Sequence, residues 1–229
     1  MKAVILAGGI GKRLRPITEM VPKPLVPVLG RPVVEYTMEN LPPEVTEIIF
    51  VIGYKGEMIR EQYSSEAFGR EISYVVQAEP LGTGHAVRCA APSVHEPFLL
   101  LYGDDVYGPD GLRRLVHHKQ ALLARRVEHP ERFGVLVLQE DGTVAQMVEK
   151  PKAFVSDLSW VGAALLQPEF LSIETPLSPR GEYEATDMVN VLIERGRKFL
   201  VELTDLWLPA NTAEEVAEVE RILRARSSA

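Results

Sequence analysis

Glycines and positive charges are concentrated near the start of the chain. An apolar run ends there in Gly8, Gly9 and Gly11, which are followed by Arg13 and Lys23. Glycines let backbone N–H groups approach an anion closely, and the basic side chains add positive charge. Prolines on both sides of Lys23 stiffen its segment, where we expect an exposed loop lysine. This pattern predicts a loop that binds nucleotide phosphates; a glycine-rich turn before a solvated basic loop is the alternative.

Two widespread phosphate-binding loops do not account for this segment. A P-loop requires Ser or Thr after its Gly-Lys pair, and here Arg13 follows Gly11 and Lys12. The dinucleotide fingerprint G-x-G-x-x-G begins with Gly9 and Gly11 but has Leu14 in place of the third glycine. A triphosphate-binding loop outside these two classes is the interpretation that remains.

A second polar loop, 77-QAEPLGTGHA-86, follows an apolar segment and precedes a predicted helix. The amide of Gln77 can donate to and accept from the edge of a nucleobase, and Gly82 and Gly84 let the backbone lie against that base. The sequence therefore predicts base recognition by Gln77, with a glycine-rich turn at a helix start as the alternative. We interpret His85 as a packing or capping residue of this helix rather than a catalyst.

An acidic pair ends a third apolar segment, 98-FLLLYGDD-105. Mg²⁺ prefers carboxylate and phosphate oxygens, and an Asp at the carboxyl end of a strand offers one such ligand beside a triphosphate. Asp104 is the candidate, which makes Mg²⁺ the predicted cofactor, whereas Asp105 is open to interpretation as a solvated loop acid. The neighbouring His117 and His118 lie in a predicted helix, point in different directions and are not expected to share a metal ion.

The elements that carry these loops alternate between strands and helices. Runs of continuous apolar residues predict strands buried on both faces, at residues 3–7, 48–52, 72–76, 98–102 and 134–138. Helices are predicted at residues 33–41, 56–65, 84–91 and 111–123. This alternation predicts an α/β fold of Rossmann-like, three-layer architecture around a mostly parallel sheet.

The pattern changes after about residue 128. Further elements are strands at residues 143–151 and 160–166, a connection rich in Pro and Ser at 171–184, and helices at 185–196 and 212–226. We predict a single domain, 1–229, in which a core of about residues 1–128 is followed by a smaller mixed lobe of about 129–211 and a final helix of about 212–229. A binding cleft is expected where the carboxyl ends of the strands meet the lobe.

Composition excludes several classes of protein. The net charge of -7 argues against a broad nucleic-acid-binding surface but allows a local positive pocket. The single cysteine, Cys89, cannot form an internal disulfide and lacks the neighbours of a zinc site. The longest apolar runs are too short to span a bilayer and no signal-peptide pattern is found. We therefore expect a cytoplasmic protein with no membrane or nucleic-acid partner.

The segment L-A-G-G-x-G-x-R-L-x-P-x-T, with P-K-P-L after it, resembles the signature of the sugar-1-phosphate nucleotidylyltransferases. That family joins a nucleoside triphosphate to a sugar 1-phosphate and releases pyrophosphate. The resemblance implies catalytic roles for Arg13 and Lys23. It implies nucleotide binding by Leu6, Ala7, Gly8, Gly9, Gly11, Gln77, Gly82 and Thr83. The loop that contains Gln77 is most similar to the uridylyltransferase branch.

Two later motifs are similar to segments that face the sugar phosphate in this family, 148-VEKP-151 and 181-GEYEATD-187. They imply that residues 129–211 form the sugar-binding part. Within it, the resemblance implies sugar-phosphate binding by Glu149, Lys150, Gly162 and Glu184. An exposed Glu-Lys turn is the alternative for the first motif, and stabilisation of a helix start by Thr186 and Asp187 is the alternative for part of the second.

Two positions depart from the family pattern. Trp160 stands where many relatives have an Asn that contacts the sugar, and Pro209 stands where many have the Asp that completes the metal site. Asn211 offers a neutral oxygen two residues after Pro209. The candidate Mg²⁺ ligands are therefore Asp104 and Asn211.

The resemblance implies that the chain transfers a nucleotidyl group from UTP or dTTP to a sugar 1-phosphate. Guanylyl or cytidylyl transfer, a non-sugar phosphate as acceptor, and a regulatory homologue that binds nucleotide sugars without turnover are the alternatives. A homo-oligomer is also left open. After the final helix we expect no acetyltransferase domain of the kind that some relatives carry.

Overall fold

The computed structural model describes residues 1–227 as alternating strands and helices joined by short loops. The strands are β1 Lys2–Ala7, β2 Pro27–Val28, β3 Arg31–Pro32, β4 Glu47–Ile52, β5 Glu66–Ala67, β6 Arg70–Val76, β7 Phe98–Tyr102, β8 Asp105–Tyr107, β9 Ala121–Arg126, β10 Gly134–Leu138, β11 Val144–Glu149, β12 Leu158–Leu166, β13 Leu200–Leu203 and β14 Trp207–Pro209. The α-helices are α1 Ile17–Met20, α2 Val33–Asn40, α3 Gly56–Tyr63, α4 Thr83–Cys89, α5 Pro109–Leu115, α6 Ala185–Glu194 and α7 Ala213–Ser227. Short 3-10 turns lie at Lys12–Leu14, Lys23–Leu25, Ala91–Ser93, Pro130–Arg132 and Pro168–Ser172.

In the part of the chain that the structure describes, ten strands form one sheet. Its order is β11-β10-β12-β7-β1-β4-β6-β5, with β9 beside β12 and β13 beside β9. Strands β7, β1, β4 and β6 are parallel, so Ile5 of β1 lies opposite Leu101 of β7 and Phe50 of β4. The strands added around β12 are antiparallel to it. The α/β fold class is confirmed, and the complete sheet is mixed around a parallel centre.

Helices cover both faces of the parallel strands, as their continuous apolar sequences predict. Alternate residues of β1 point to opposite faces, so Val4 packs with α4 and α6 whereas Ile5 packs with α2, α3 and α5. Both residues are fully buried. Three layers result, with the apolar core divided between the two faces of the sheet.

The sheet divides at β12, because one edge of this strand pairs with two different strands and leaves a space between them. Strand β9 runs along one edge of β12, while the other edge pairs with β10 near Trp160 and with β7 from Ala164 onwards. Gly162 lies between these two regions with φ of 78°, at an interruption of the register. Beside Gly162, the Tyr107 hydroxyl donates a hydrogen bond of 2.9 Å to the carbonyl of Val161. The space between β7 and β10 is where the smaller of two cavities lies.

The predicted helix at residues 111–123 is wrong in its second half. Helix α5 ends at Leu115, and Ala121–Arg126 is the strand β9, which pairs with both β12 and β13. The residues Ala-Leu-Leu-Ala fit a helix by local preference, but pairing on both edges buries them completely in the sheet. His117 and His118 consequently lie in a loop, where Nε2 of His118 is 3.0 Å from Glu202.

The other predicted helices and strands are confirmed to within a few residues of their ends. The short strands β8, β13 and β14 lack an apolar run long enough to identify them from sequence. Strands from both predicted parts of the chain, 1–128 and 129–211, belong to the same sheet, and the division into these parts stays a prediction. Between residues 1 and 227, no helix combines the length and the apolar character needed to cross a membrane.

Candidate active site

The larger cavity, of about 550 Å³, opens at the carboxyl ends of β1 and β6. It is lined by the loop after β1, by the turn that contains Lys23 and by the loop that leads into α4. Its lining residues are Leu6, Ala7, Gly8, Gly9, Ile10, Gly11, Lys12, Arg13, Lys23, Pro24, Gln77, Pro80, Gly82, Thr83, Ala86, Tyr102, Asp104, Glu182 and Asn211. All residues that the sequence assigns to the nucleotide therefore lie around one cavity.

A cluster of polar side chains lies at one end of this cavity. The ammonium of Lys23 is paired with the carboxylate of Asp104 and donates to Oδ1 of Asn211 at 2.9 Å. Arg13 donates to the same Asn211 oxygen at 3.0 Å. The side chains of Lys23 and Asp104 are only 16% and 17% exposed, so the expectation of an exposed loop lysine is wrong. Lys23 instead lies against Asp104, which follows the end of β7.

Gly11 makes the position of Lys23 possible. Its φ is 70°, in the left-handed region, and a Cβ there would lie 2.5 Å from Cγ of Lys23 and 2.7 Å from Cγ2 of Thr18. The hydroxyl of Thr18 donates to the Gly11 carbonyl at 2.8 Å and holds the turn. Glycine is required at position 11 both for the backbone conformation and for the approach of the lysine stem.

Gln77 directly follows β6 and is almost completely buried in the wall of the larger cavity. Its Nε2 donates to the carbonyl of Gly82 at 3.1 Å and lies 3.1 Å from Nδ1 of His85. Of the two interpretations of His85, packing or capping, capping does not apply, because its side chain makes no capping hydrogen bond in α4. The histidine instead contacts the residue that is predicted to face the base.

The smaller cavity, of about 170 Å³, lies at the division of the sheet beside Gly162. Its lining residues are Arg13, Thr83, Tyr102, Asp104, Asp105, Arg132, Phe133, Gly134, Glu149, Lys150, Trp160, Val161, Gly162, Arg180, Glu182, Glu184, Trp207 and Asn211. All four residues that the resemblance assigns to the sugar phosphate, Glu149, Lys150, Gly162 and Glu184, are among them. Carboxylates and positive charges thus surround a space large enough for a small polar ligand.

Arg180 links the two predicted sugar-binding carboxylates. Its Nη1 lies 3.0 Å from Oε1 of Glu149 and 3.1 Å from Oε1 of Glu184, while Nη2 lies 3.6 Å from Glu182. Burial, together with the negative charge of Glu149, raises the pKa of Glu184 above its ordinary value. Lys150 adds a second cation, 3.4 Å from Glu149. The carboxylates are therefore paired with positive charge but remain at the cavity surface.

Aromatic rings form the floor of the smaller cavity. Trp160 is buried, donates from Nε1 to the carbonyl of Ala163 at 2.8 Å, and packs edge-on against Tyr102 with ring centres 5.5 Å apart. A Cβ on Gly162 would lie 2.6 Å from the Tyr102 ring. Trp160 thus supplies an apolar wall to the smaller cavity, and its one ring donor is already used.

The two cavities share part of their lining. The residues common to both are Arg13, Thr83, Tyr102, Asp104, Glu182 and Asn211. A ligand in the larger cavity and a ligand in the smaller one would therefore meet next to the cluster formed by Lys23, Asp104 and Asn211. This is the arrangement required for a reaction between two bound substrates.

The same cluster fits a divalent cation in its donor chemistry. Strand β14 pairs with β8 so that Pro209 lies opposite Asp105, and the backbone N–H of Ala210 donates to the carbonyl of Asp104 at 3.1 Å. Because of this pairing, Asn211 lies beside Asp104. The carboxylate of Asp104 and the amide oxygen of Asn211 both contact the ammonium of Lys23. Oxygen donors of this kind suit Mg²⁺, which takes its remaining ligands from water and phosphate.

Several residues of the site escape prediction from sequence. Asp105 is not a solvated loop acid: it is buried and accepts a hydrogen bond from Nε1 of Trp207 at 2.9 Å. Burial and the charge of Asp104 raise the pKa of Asp105 well above its ordinary value. Arg132 reaches the smaller cavity from the end of the 3-10 turn Pro130–Arg132, and Arg180 reaches it from a turn. The only sequence signal for Arg180 is its place in the turn before the second sugar motif.

A family model described as nucleotidyl transferase matches residues 2–222 of the chain. The bifunctional protein GlmU of Methanococcus maripaludis is 37% identical over 211 residues, which cover 90% of this chain and 50% of that relative. The UTP–glucose-1-phosphate uridylyltransferase AglF of Haloferax volcanii is 32% identical over 239 residues, which cover 100% of this chain and 98% of that relative. The chain thus spans about half the length of the GlmU relative and nearly all of AglF.

A solved structure extends the similarity to the fold. A Bacillus anthracis protein, provisionally described as a glucose-1-phosphate thymidylyltransferase and solved in complex with a sucrose, has a TM-score of 0.87 with this chain. It is 28% identical, and the alignment covers 98% of this chain and 95% of that one. The sheet and its surrounding helices are therefore shared over nearly the whole described chain.

Proposed function

Because the chain belongs to the nucleotidyl transferase family, we propose that it transfers a nucleotidyl group from UTP or dTTP to a sugar 1-phosphate. The observation that carries this proposal is the pair of cavities that share the wall around Asp104 and Asn211. One cavity has the glycine loop and Gln77, which suit a nucleotide. The other has Glu149, Lys150 and other charged groups, which suit a sugar phosphate.

The reaction is a single displacement at phosphorus. A phosphate oxygen of the sugar 1-phosphate forms a bond to the α-phosphorus of the triphosphate, and the bond from that phosphorus to the oxygen bridging to the β-phosphate breaks. The electron pair leaves with pyrophosphate, and the product is a nucleotide sugar. Since the attacking oxygen is already an anion, the chain has no need for a protein nucleophile or a general base.

The residues of the chain act by positioning two negative substrates and reducing their repulsion. Lys23 and Arg13 lie beside the shared wall and face the point where the phosphates would meet. Lys150 supplies positive charge on the side of the sugar phosphate, while Glu149 and Glu184 offer acceptors to sugar hydroxyls. The burial of Lys23 beside Asp104 and Asn211 restricts the ammonium to one place, which is the preorganisation that favours catalysis.

Asp104 and Asn211 are the residues that would hold Mg²⁺. When bound, Mg²⁺ supplies positive charge against the oxygens of the triphosphate. The relative AglF is named for UTP and glucose 1-phosphate, and we extend these substrate classes to this chain. A cytoplasmic location and a homo-oligomeric state stay predictions.

The test is pyrophosphate release by the purified protein with Mg²⁺ and a matrix of substrates. UTP, dTTP, CTP, GTP and ATP are each combined with the 1-phosphates of glucose, N-acetylglucosamine, galactose and mannose. We expect release that requires both Mg²⁺ and a sugar phosphate and is greatest with UTP or dTTP. The Arg15→Ala variant is the matched control, since Arg15 lies in the same loop but lines neither cavity.

A folded protein that binds nucleotide but releases no pyrophosphate in any combination would contradict the proposal. Release without a sugar phosphate would also contradict it, because that result describes triphosphate hydrolysis rather than transfer. Release only with a phosphate that is not a sugar 1-phosphate, tested in a second series with choline phosphate and glycerol phosphates, would reject the sugar acceptor and keep nucleotidyl transfer.

A further inference from the structure

The orientation of the Gln77 amide follows from its neighbours. The carbonyl of Gly82, 3.1 Å away, can only accept a hydrogen bond, so the atom that faces it must be the amide nitrogen. The same nitrogen lies 3.1 Å from Nδ1 of His85. Because that nitrogen is a donor, Nδ1 of His85 must accept, and the neutral ring carries its proton on Nε2.

Both hydrogens of the Gln77 amide are consequently directed into the protein. One goes to Gly82 and the other to His85. Oε1 of Gln77 therefore lies beside Gly8, and a Cβ added to Gly8 would be only 2.8 Å from this oxygen. Gly8 and Gln77 both line the larger cavity. Among residues 1–227, no hydrogen-bond donor pairs with Oε1. Gln77 therefore presents an acceptor, and not a donor, to a base in that cavity.

His85 acts on this acceptor from outside the cavity. It lies in the first turn of α4 and does not line either cavity. The only hydrogen-bond contact of its side chain within the described chain is the one with Gln77. A rotation of the amide by 180° would place Oε1 against the Gly82 carbonyl, which is a contact between two acceptors. It would also require the His85 ring to move its proton from Nε2 to Nδ1 before the contact with Oε1 becomes a hydrogen bond.

We propose that His85 is a positioning residue for base selection: by accepting from Gln77 on Nδ1, it holds Oε1 toward the base and favours uracil and thymine over cytosine. The ring N3 of uracil and thymine carries a hydrogen and can donate to Oε1, whereas N3 of cytosine is an acceptor and faces Oε1 unfavourably. This inference rests on the proposed nucleotide site and adds the residue that controls its selectivity.

The test compares three variants in direct nucleotide binding and in turnover. His85→Leu removes the acceptor at similar volume, and His85→Asn restores an oxygen acceptor close to the position of Nδ1. His95→Leu is the control, because His95 is an exposed histidine outside both cavities. Calorimetry with UTP and CTP gives the ratio of the two affinities without any need for turnover, and thermal unfolding checks that each variant is folded.

We expect the preference for UTP over CTP to fall about tenfold in His85→Leu, as for the loss of one hydrogen bond, and to be largely restored in His85→Asn. The change should lie in the KM for the nucleotide, with kcat altered little. An unchanged UTP to CTP ratio in folded His85→Leu would overturn the inference, and so would an equal loss in His85→Asn. If His85→Leu does not fold, His85→Ala takes its place in the same comparison.

The two proposals fail in different ways. The ratio of UTP to CTP affinity could fall in His85→Leu although the wild-type protein releases no pyrophosphate. That result would support the positioning role of His85 and reject the transfer reaction. Normal transfer with an unchanged ratio would reject His85 alone. A wild-type protein that binds neither UTP nor CTP would overturn both.

Discussion

The ammonium of Lys23 donates a hydrogen bond of 2.9 Å to the amide oxygen of Asn211, although the two residues are 188 positions apart in the chain. Asp104 pairs with the same ammonium, and Arg13 donates to the same amide oxygen. Segments from the beginning, middle and end of the chain therefore meet at one point. That point lies on the wall shared by the two cavities, which is where the reacting phosphates would meet.

Replacement of Lys23 by Ala should abolish most of the activity. Loss of a preorganised charge at the reacting phosphates costs about 3 kcal/mol in the transition state, or on the order of a hundredfold in kcat. Because Asp104 then loses its partner, we also expect a loss of about 1 kcal/mol in the free energy of unfolding. Pyrophosphate release and urea denaturation measure the two effects. Arg15→Ala removes only an exposed cation 3.8 Å from Glu19 and should change neither turnover nor the free energy of unfolding. If turnover of Lys23→Ala stays within a few-fold of wild type, Lys23 is not a catalytic residue.

Replacement of Asn211 by Ala tests the proposed metal ligand. Removal of one oxygen donor should raise the concentration of Mg²⁺ that gives half-maximal pyrophosphate release by about tenfold, equivalent to about 1.4 kcal/mol of binding. Calorimetric titration of Mn²⁺ in the presence of UTP gives a second readout that is independent of turnover. Gln62→Ala removes an exposed amide from α3 and serves as the control. If the affinity for the metal ion is unchanged in Asn211→Ala, Asn211 is not a metal ligand and Asp104 would hold the ion without it.

Two glycine variants separate backbone strain from contact with Lys23. Gly11 and Gly142 both have positive φ, 70° and 79°, but a Cβ on Gly142 would meet nothing within 4 Å. In Gly142→Ala we therefore expect the free energy of unfolding to fall by about 1–2 kcal/mol, which is the cost of the left-handed conformation, and the activity to be unchanged. Gly11→Ala should lose more stability and most of its activity, since its Cβ displaces Lys23. Equal losses of stability and activity in the two variants would exclude this contact as the reason for Gly11.

The buried Glu184 should make stability depend on pH in a defined direction. Burial and the charge of Glu149 raise the pKa of Glu184 above its ordinary value of 4.5. A carboxyl whose pKa is raised by folding favours the folded state when it is protonated, below about pH 4.5, and this contribution is lost as the pH rises through the raised pKa. Glu184→Gln should therefore be more stable than wild type at pH 7, on the order of 1 kcal/mol, with the difference shrinking toward pH 4.

Thermal unfolding of Glu184→Gln and wild type at pH 4, 5.5 and 7 checks this sign. Arg180 keeps Glu149 as a partner in the variant, so no cation is stranded. Glu182→Gln, at a half-exposed position of the same segment, should leave stability nearly unchanged. A Glu184→Gln protein less stable than wild type at pH 7 would show that its pairing with Arg180 outweighs the cost of burial.

Local sequence is sufficient for the residues whose roles depend on their immediate neighbours. The glycines at 8, 9 and 11 adjoin a strand end, and Gln77 and Asp104 follow apolar runs that form the parallel centre of the sheet. Carboxyl ends of parallel strands meet at one edge, so these residues were expected to lie together and do. The helix predicted at 111–123 fails because Ala121–Arg126 pairs with β12 and β13, which come later in the chain.

The sequence by itself determined the parallel α/β centre, the glycine-rich loop after β1 and the candidate residues on either side of the cleft, because apolar runs, glycines and motif spacing are local properties. Only the tertiary structure decided that Lys23 is held between Asp104 and Asn211, that Arg180 joins Glu149 to Glu184, and that His85 contacts Gln77. These relationships depend on strand pairing and loop packing between distant segments. Such contacts are set by burial and hydrogen bonding in the folded chain, for which no short stretch of residues carries a signal.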